Sequence, residues 1–177
     1  MTVQKIPLAG VIGAPIAHTK SPNLHDHWLR QTGVPGHYIP LHIEPGDLKQ
    51  TLKMLPKMGF VGLNVTVPHK ETVMRLVDIV TDRATLIGAA NTLIFKSDGK
   101  IQADNTDGFG FIENLTGGAP DWNPTAGPAL VLGAGGAARA VIAALLEYNT
   151  PEIFLTNRTR DRAENLKDIF VPKVKII

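Results

Sequence analysis

The chain has 177 residues, a net charge of +2 and no cysteine. That length suffices for one domain or two small ones, and the hydrophobic fraction of 44% is ordinary for a soluble globular protein. The small net charge argues against a dedicated nucleic-acid surface, and the lack of cysteine excludes disulfides, thiolate metal sites and thiol nucleophiles. No apolar run is long enough to span a bilayer, and residues 1–7 lack the apolar core of a signal peptide. We therefore expect a cytoplasmic protein that binds neither membrane nor metal.

Strand and helix patterns alternate along the first hundred residues. Leu48, Leu52 and Leu55 mark an amphipathic helix, and Ser21 with Pro22 predicts a helix start in which Ser21 is the N-cap. Such alternation is typical of right-handed βαβ units, so we expect an α/β fold with a mostly parallel sheet. The strands are predicted at 8–12, 38–42, 59–67 and 89–95, the helix that Ser21 caps at 22–33, and a further helix at 82–87.

Polar side chains follow several of these strands. Pro68 stops the third strand, and we predict a helix from His69 to about Ile79 that places Lys70 at its positive end. Ligands bind at the carboxyl ends of strands in α/β proteins, and a lysine there with a carboxylate nearby can exchange a proton near neutral pH. Taken alone, the stretch favours a solvated surface lysine, the usual fate of this residue type.

Four further residues are candidates for a ligand-binding site, and most of them could instead have a purely structural role. The hydroxyls of Thr19 and Ser21 suit a small carboxylate at a helix N-terminus, while Ser21 also caps that helix. Asn91 is either a ligand-binding amide or a strand-end amide that ties loops together. Asp107 caps the helix that follows toward Leu115, or contributes its carboxylate to a site.

A dinucleotide-binding pattern begins after a segment, 116–128, whose glycines and prolines make it a candidate domain boundary. The apolar strand 129–132 runs into a loop that fits G-x-G-x-x-A with Gly133, Gly135 and Ala138, and a helix follows. Glycines allow a tight turn and close approach of a pyrophosphate to the free N–H groups of the helix.

The next strand, 152–156, ends in a basic segment. An NAD site requires an acidic residue about 20 positions beyond the glycines, whereas this chain has Asn157, Arg158 and Thr159 there. Thr159 can cap the next helix, which leaves Arg158 and Arg162 to bind an anion. Guanidinium groups suit a 2′-phosphate because they offer paired, planar donors, so the pattern favours NADP.

Taken together, these motifs resemble the shikimate dehydrogenase family over nearly the whole chain. The resemblance rests on six stretches in the same order. These are residues 15–22 (Pro-Ile-Ala-His-Thr-Lys-Ser-Pro), 64–70, 89–92, 105–108, 133–138 and 157–159.

The resemblance implies an enzyme, an oxidoreductase that uses NADP to interconvert 3-dehydroshikimate and shikimate in aromatic amino-acid and chorismate biosynthesis. It implies that Lys70 is the catalytic lysine and Asp107 its partner, and that Asn64 orients the loop. Reduction of a ketone leaves an alkoxide that needs a proton, which a lysine can supply. Substrate contacts fall to Thr19, Ser21, Thr66 and Asn91. Cofactor contacts fall to Gly133, Ala134, Gly135, Gly136, Ala137, Asn157, Arg158, Thr159 and Arg162.

The resemblance also implies a substrate domain at 1–106 and a Rossmann-type NADP-binding domain at 107–177. Family chains continue further, so the second domain is expected to be incomplete here, without the glutamine that a returning C-terminal segment adds to the substrate site. Thr19 stands where the family usually has serine. The alternatives are a quinate/shikimate dehydrogenase and a catalytically incomplete NADP-binding fragment, and either a monomer or a homodimer fits.

Overall fold

The computed structural model describes residues 6–170 and 172–177. The chain forms two compact units, the first from the part up to Thr85 together with Ala90–Asp104, the second from Leu86–Ala89 and Asn105–Ile177. The chain therefore passes between the units at Asp104 and Asn105, and the candidate boundary at 116–128 lies inside the second unit. The division into a substrate domain and a cofactor domain at residue 106 is one of function and stays a prediction.

The first unit contains a six-stranded sheet. Its strands are β1 (Leu8–Gly13), β2 (His37–His42), β3 (Phe60–Val65), β4 (Ile79–Val80), β5 (Thr92–Phe95) and β6 (Ile101–Asp104), in the order β2-β1-β3-β5-β6-β4. Three of its five strand pairings are parallel, so five of the six strands run in one direction and the sheet is mostly parallel, as predicted. The exception is β5, which pairs antiparallel with both β3 and β6. The hairpin over 97–100 reverses the chain between β5 and β6 and accounts for that pair.

The helices of the first unit bury the residues that their pattern indicates. Leu48, Leu52 and Leu55 pack into the core with Ile12 of β1, which confirms the predicted amphipathic segment. Helix α2 (Leu48–Met54) then gives way to a 3-10 turn at Leu55–Met58. Pro56 accounts for this change, since it has no N–H with which to continue the α-helical ladder.

Helix α1 (Ser21–Thr32) begins one residue earlier than predicted. Lys20 occupies the N-cap position and Ser21 is the first helical residue, so the prediction that Ser21 caps this helix was wrong. The oxygen at the cap comes instead from Thr19, whose Oγ1 accepts the Ser21 N–H at 3.3 Å. The Ser21 hydroxyl is thereby left for other contacts.

The helix predicted from His69 to Ile79 does not form. A 3-10 turn at Thr72–Arg75 and the short strand β4 occupy that stretch. The carbonyl oxygen of Lys70, which would accept an N–H four residues later in a helix, accepts the Ala90 N–H at 2.8 Å. Lys70 therefore lies on a loop and not at the end of a helix dipole.

The second unit has a three-stranded parallel sheet with the order β7-β8-β9. Its elements follow the predicted strand–helix alternation and end in a third strand of this sheet, β9. They are α4 (Asp107–Gly118), β7 (Ala129–Leu132), α5 (Gly136–Glu147), β8 (Ile153–Thr156), α6 (Arg160–Ile169) and β9 (Val174–Ile176), preceded by α3 (Asp82–Ile87), which crosses from the first unit. Within the described ranges, no helix has the length and apolarity needed to cross a bilayer.

Candidate functional site

In the first unit, polar groups gather where β1 and β3 end and β5 begins. The Thr66 N–H donates to the carbonyl oxygen of Ile12 at 2.9 Å, and the Val65 N–H donates to that of Asn91 at 2.8 Å. These backbone bonds hold Thr66 and Asn91, two predicted substrate-binding residues, at the same end of β3. This is the edge at which open α/β sheets bind ligands.

Side-chain hydrogen bonds form in two separate groups in this unit. Thr19 Oγ1 lies 3.3 Å from Ser21 Oγ. The Tyr38 hydroxyl donates to Asn64 Oδ1 at 2.7 Å, and Asn64 Nδ2 donates to the Asn91 carbonyl at 3.4 Å. Tyr38, which the sequence analysis did not single out, thus links β2 to the end of β3. Its position in an alternating strand indicated burial alone.

Lys70 is half-buried on the loop after β3. Its neighbour His69 is almost completely buried, with Nε2 2.7 Å from the Ile43 carbonyl oxygen. The Lys70 carbonyl is fixed by the Ala90 N–H. The main chain on both sides of the lysine is therefore anchored, which suits a group that must be held against a substrate.

In the second unit, Asp107 is the first residue of α4. Its N–H donates to Asn105 Oδ1 at 3.0 Å, and Asn105 Nδ2 donates to the Ala89 carbonyl at 2.8 Å. Thr106 is the N-cap residue of α4 and its side chain makes no capping bond, while the Asn105 amide oxygen accepts the first helical N–H. Because Lys70 belongs to the first unit, the pairing of these two residues stays a prediction.

The glycine loop has the geometry that its pattern predicts. Gly133 follows β7 with φ of +107°, a conformation that favours glycine, and Gly135 is the N-cap residue of α5. A Cβ built on Gly133 or Gly135 would meet no atom within 4 Å, so the space that a phosphate would need is open. Free N–H groups at the start of a twelve-residue helix suit an anion there.

Asn157 has a structural part in this loop. Its Oδ1 accepts the Ala134 N–H at 3.2 Å and its Nδ2 donates to the Thr159 carbonyl oxygen at 2.7 Å. Thr159 is the N-cap residue of α6, as predicted, although its side chain makes no capping bond. Asn157 therefore fixes the glycine loop against the basic segment, and its direct contact with a cofactor stays a prediction.

The basic segment presents its guanidinium groups to solvent. Arg158 and Arg162 are exposed, and neither takes part in an ion pair with the described part of the chain. Arg160 differs, because its Nε lies 3.4 Å from Glu164 Oε1. Across 6–170 and 172–177 there is no cluster of three or more His, Asp or Glu side chains suited to a metal.

The chain matches known proteins along its whole length. A family described as the shikimate dehydrogenase substrate binding domain matches residues 11–93. A shikimate dehydrogenase (NADP(+)) of Ruegeria sp. strain TM1040 is 63% identical over all 177 residues, which is 64% of that protein. The chain is therefore similar to shikimate dehydrogenases over its whole length.

Solved structures of shikimate dehydrogenases share the fold. The shikimate dehydrogenase of Aquifex aeolicus superposes with a TM-score of 0.90 at 38% identity, covering 100% of this chain and 64% of its own. That of Thermus thermophilus, solved in complex with NADP(H) and shikimate, gives 0.84 at 39% identity, covering 95% and 62%. The chain spans about 64% of the length of the curated relatives that it matches.

Proposed function

We propose that the intact protein is a shikimate dehydrogenase that reversibly reduces 3-dehydroshikimate to shikimate with NADPH. The observation that carries the proposal is that the first unit holds Thr66 and Asn91 at the same end of β3, and pairs the hydroxyls of Thr19 and Ser21 on the segment that follows β1. Four hydroxyl and amide groups at one edge suit a small, polyhydroxylated acid. The similarity to shikimate dehydrogenases supports the same substrate.

The substrate carboxylate is bound by the hydroxyls of Thr19 and Ser21. Both lie at the start of α1, where the helix dipole favours an anion. Thr66 and the Asn91 side chain bind the ring hydroxyls. Asn64 orients Asn91 through its carbonyl, so its effect on binding is indirect.

Proton transfer falls to Lys70, with Asp107 as its partner. Lys70 donates a proton to the oxygen of the carbonyl as that oxygen gains charge, and takes it back from the hydroxyl in the oxidation direction. The anchored main chain around Lys70 supports this role, because proton transfer requires a fixed donor. Asp107 accepts a hydrogen bond from the ammonium group and holds it toward the substrate.

The second unit binds NADP. The loop over Gly133, Ala134, Gly135, Gly136 and Ala137 receives the pyrophosphate, and Arg158, Arg162 and Thr159 receive the 2′-phosphate. The open space at the glycines and the exposed guanidinium groups fit such a ligand. When bound, the nicotinamide supplies or accepts the hydride, while the residues of this chain orient it and exclude other anions.

The decisive experiment is shikimate-dependent reduction of NADP by the intact protein, with quinate and NAD run alongside. We expect turnover with shikimate and NADP, and much lower rates with either alternative. Turnover with quinate and NAD at equal efficiency would instead assign the protein to the quinate-using enzymes. Binding of NADPH without any turnover would contradict the proposal and favour a nucleotide-binding protein.

A further inference from the structure

The last residue of β1, Gly13, lies directly beside the side chain of Thr66. Gly13 is buried, and Thr66 follows the end of β3, which pairs in parallel with β1. A Cβ built on Gly13 would stand 2.6 Å from Cγ2 of Thr66, well inside the distance that two carbon atoms keep when they are not bonded to each other. The methyl group of Thr66 thus occupies the space that a side chain at position 13 would need.

The main chain holds both residues in this contact. The Thr66 N–H donates to the Ile12 carbonyl oxygen at 2.9 Å, and the Thr66 carbonyl oxygen accepts the His69 N–H at 2.9 Å. The Gly13 carbonyl oxygen accepts the Ile43 N–H at 3.2 Å. Neither backbone segment can withdraw without losing hydrogen bonds. A larger residue at position 13 would therefore displace the side chain of Thr66 by rotation about χ1.

The place of the methyl group also fixes the direction of the Thr66 hydroxyl. Threonine carries Oγ1 and Cγ2 on the same Cβ, so a single value of χ1 places both groups. Among residues 6–170 and 172–177, the Thr66 hydroxyl has no hydrogen-bond partner. Its direction is therefore set by the contact of its methyl group with Gly13 and not by a hydrogen bond, and the hydroxyl is available to a ligand.

We propose that Gly13 is a positioning residue for substrate binding. Because position 13 has no side chain, the methyl group of Thr66 turns toward β1, and this directs the hydroxyl to the ring hydroxyls of the substrate. The inference rests on the proposed function, since it takes Thr66 to bind those hydroxyls. Gly13 acts only through Thr66 and does not touch the substrate, so its effect is on substrate affinity and not on cofactor affinity.

Gly13→Ala in the intact protein adds the obstructing Cβ. Its other near neighbours, the Val67 carbonyl oxygen at 3.0 Å and Ile16 Cδ1 at 3.1 Å, need to shift by only a few tenths of an ångström. We expect the KM for shikimate to rise about tenfold, the effect of one lost hydrogen bond, while kcat and the KM for NADP stay within about twofold. Gly46→Ala is the matched control, because its Cβ would meet no atom within 4 Å.

A compensating substitution separates positioning from general damage to the fold. Thr66→Ser keeps the hydroxyl and removes the methyl group, so the hydroxyl gains a second direction and the KM for shikimate should rise about threefold. In the Gly13→Ala, Thr66→Ser double variant, the new Cβ fills the space of the lost methyl group and excludes the hydroxyl from it. We expect the KM for shikimate to return to within about twofold of the wild-type value, below that of either single variant.

Three results would overturn the inference. One is a double variant with a KM for shikimate no lower than that of Gly13→Ala. Another is a Gly13→Ala variant in which the KM values for shikimate and NADP rise equally or both stay unchanged. The third is a Thr66→Ser variant with an unchanged KM for shikimate. This last measurement adds no atom to the protein, so it tests the inference even if Gly13→Ala does not fold.

A second readout does not depend on the substrate. Three-bond NMR couplings of Thr66 Cγ2 to its own backbone nitrogen and carbonyl carbon report χ1 in the unliganded protein. We expect one rotamer in the wild type and in Gly46→Ala, and a different one in Gly13→Ala. If the wild-type protein did not turn over shikimate, the proposed function would fail, while a changed rotamer would still support the orienting effect of Gly13. An unchanged rotamer would end it.

Discussion

His69 donates a hydrogen bond from Nε2 to the carbonyl oxygen of Ile43, at 2.7 Å. The donor is assigned without ambiguity, because a carbonyl oxygen can only accept. Since His69 is almost fully buried and immediately precedes Lys70, this bond fastens the lysine loop to the segment that leaves β2.

Replacing His69 by leucine removes that donor and leaves the half-buried Ile43 carbonyl oxygen without it. We expect the free energy of unfolding to fall by about 1–3 kcal/mol, the cost of an unsatisfied buried polar group. Urea denaturation measures this change in the free energy of unfolding. The control is His27→Leu on an exposed position of α1, expected to change stability by less than about 0.5 kcal/mol. Equal effects of the two substitutions would show that the His69 bond contributes nothing.

Lys70→Ala tests the proton donor. Loss of general acid catalysis lowers kcat by about a hundred- to ten-thousandfold, while NADPH affinity stays nearly unchanged because the cofactor residues lie elsewhere in the chain. Steady-state assays and fluorescence titration give the two quantities. Lys53→Ala, on an exposed position of α2, serves as the control. A Lys70→Ala enzyme with near-normal turnover would refute the assignment.

Arg158→Ala tests the 2′-phosphate contact. The loss of a charge-assisted hydrogen bond should weaken NADPH binding about ten- to a hundredfold and leave NADH binding nearly unchanged. Arg160→Ala is the matched variant, because Arg160 is paired with Glu164 and is not assigned to the cofactor. Isothermal titration with both nucleotides decides the matter, and equal losses for NADPH and NADH would count against the role of Arg158.

Gly108→Ala tests how closely α4 approaches α5. A Cβ on Gly108 would lie 3.0 Å from the Ala140 carbonyl oxygen and 3.4 Å from the Ala144 Cβ, both on α5. The main-chain carbonyl of Ala140 cannot move aside without distorting α5, so we expect the free energy of unfolding to fall by about 1–2 kcal/mol. Gly110→Ala on the same helix meets no atom within 4 Å and should gain about 0.5–1 kcal/mol from helix propensity. Thermal or urea unfolding of both variants checks the difference in sign.

Stability at high pH tests the environment of Tyr38. Burial raises the pKa of Tyr38 from 10.0 to about 12, and the hydrogen bond with Ser21 acts in the opposite direction with a smaller effect. The unfolded chain loses this proton near pH 10 while the folded chain keeps it to about 12, so its contribution is complete below pH 10 and is lost as pH rises toward 12. We expect a loss of about 1–2 kcal/mol across that interval, after allowance for solvent screening.

The measurement is the free energy of unfolding against pH for the wild type and Tyr38→Phe. The variant lacks the titrating group, so its curve should fall less steeply between pH 10 and about 12. Parallel curves would show that the phenol titrates as it does in the unfolded chain. Tyr148→Phe should follow the wild type.

Local patterns were sufficient for much of the fold. The spacing of Leu48, Leu52 and Leu55 and the alternation in the strands identified elements whose apolar faces are buried. The tight turn of the glycine loop was also predicted from the sequence, since Gly133 adopts a positive φ at the position where its motif requires glycine. In these segments the local preference and the tertiary structure agree.

The predictions were wrong where the conformation depends on contacts with residues that are distant in the sequence. The helix predicted after His69 is absent because Ala90, far along the chain, takes the Lys70 carbonyl. The antiparallel place of β5 depends on its pairing with β3, which the local pattern does not contain. The role of Tyr38 was missed for the same reason, because the hydrogen bond of its hydroxyl to Asn64 joins two residues that no spacing in the sequence relates.

The second unit is built from two separate segments of the chain, which limits how it could be exchanged by recombination. It includes Leu86–Ala89, a short segment inserted between two parts of the first unit, and the Asn105 amide donates to the Ala89 carbonyl. A gene fragment encoding only residues 105–177 would lack that acceptor and leave the buried Asn105 amide without it. The second unit is thus not encoded by one continuous segment of the chain. Recombination that exchanged it with another dehydrogenase at a single junction would leave part of it behind.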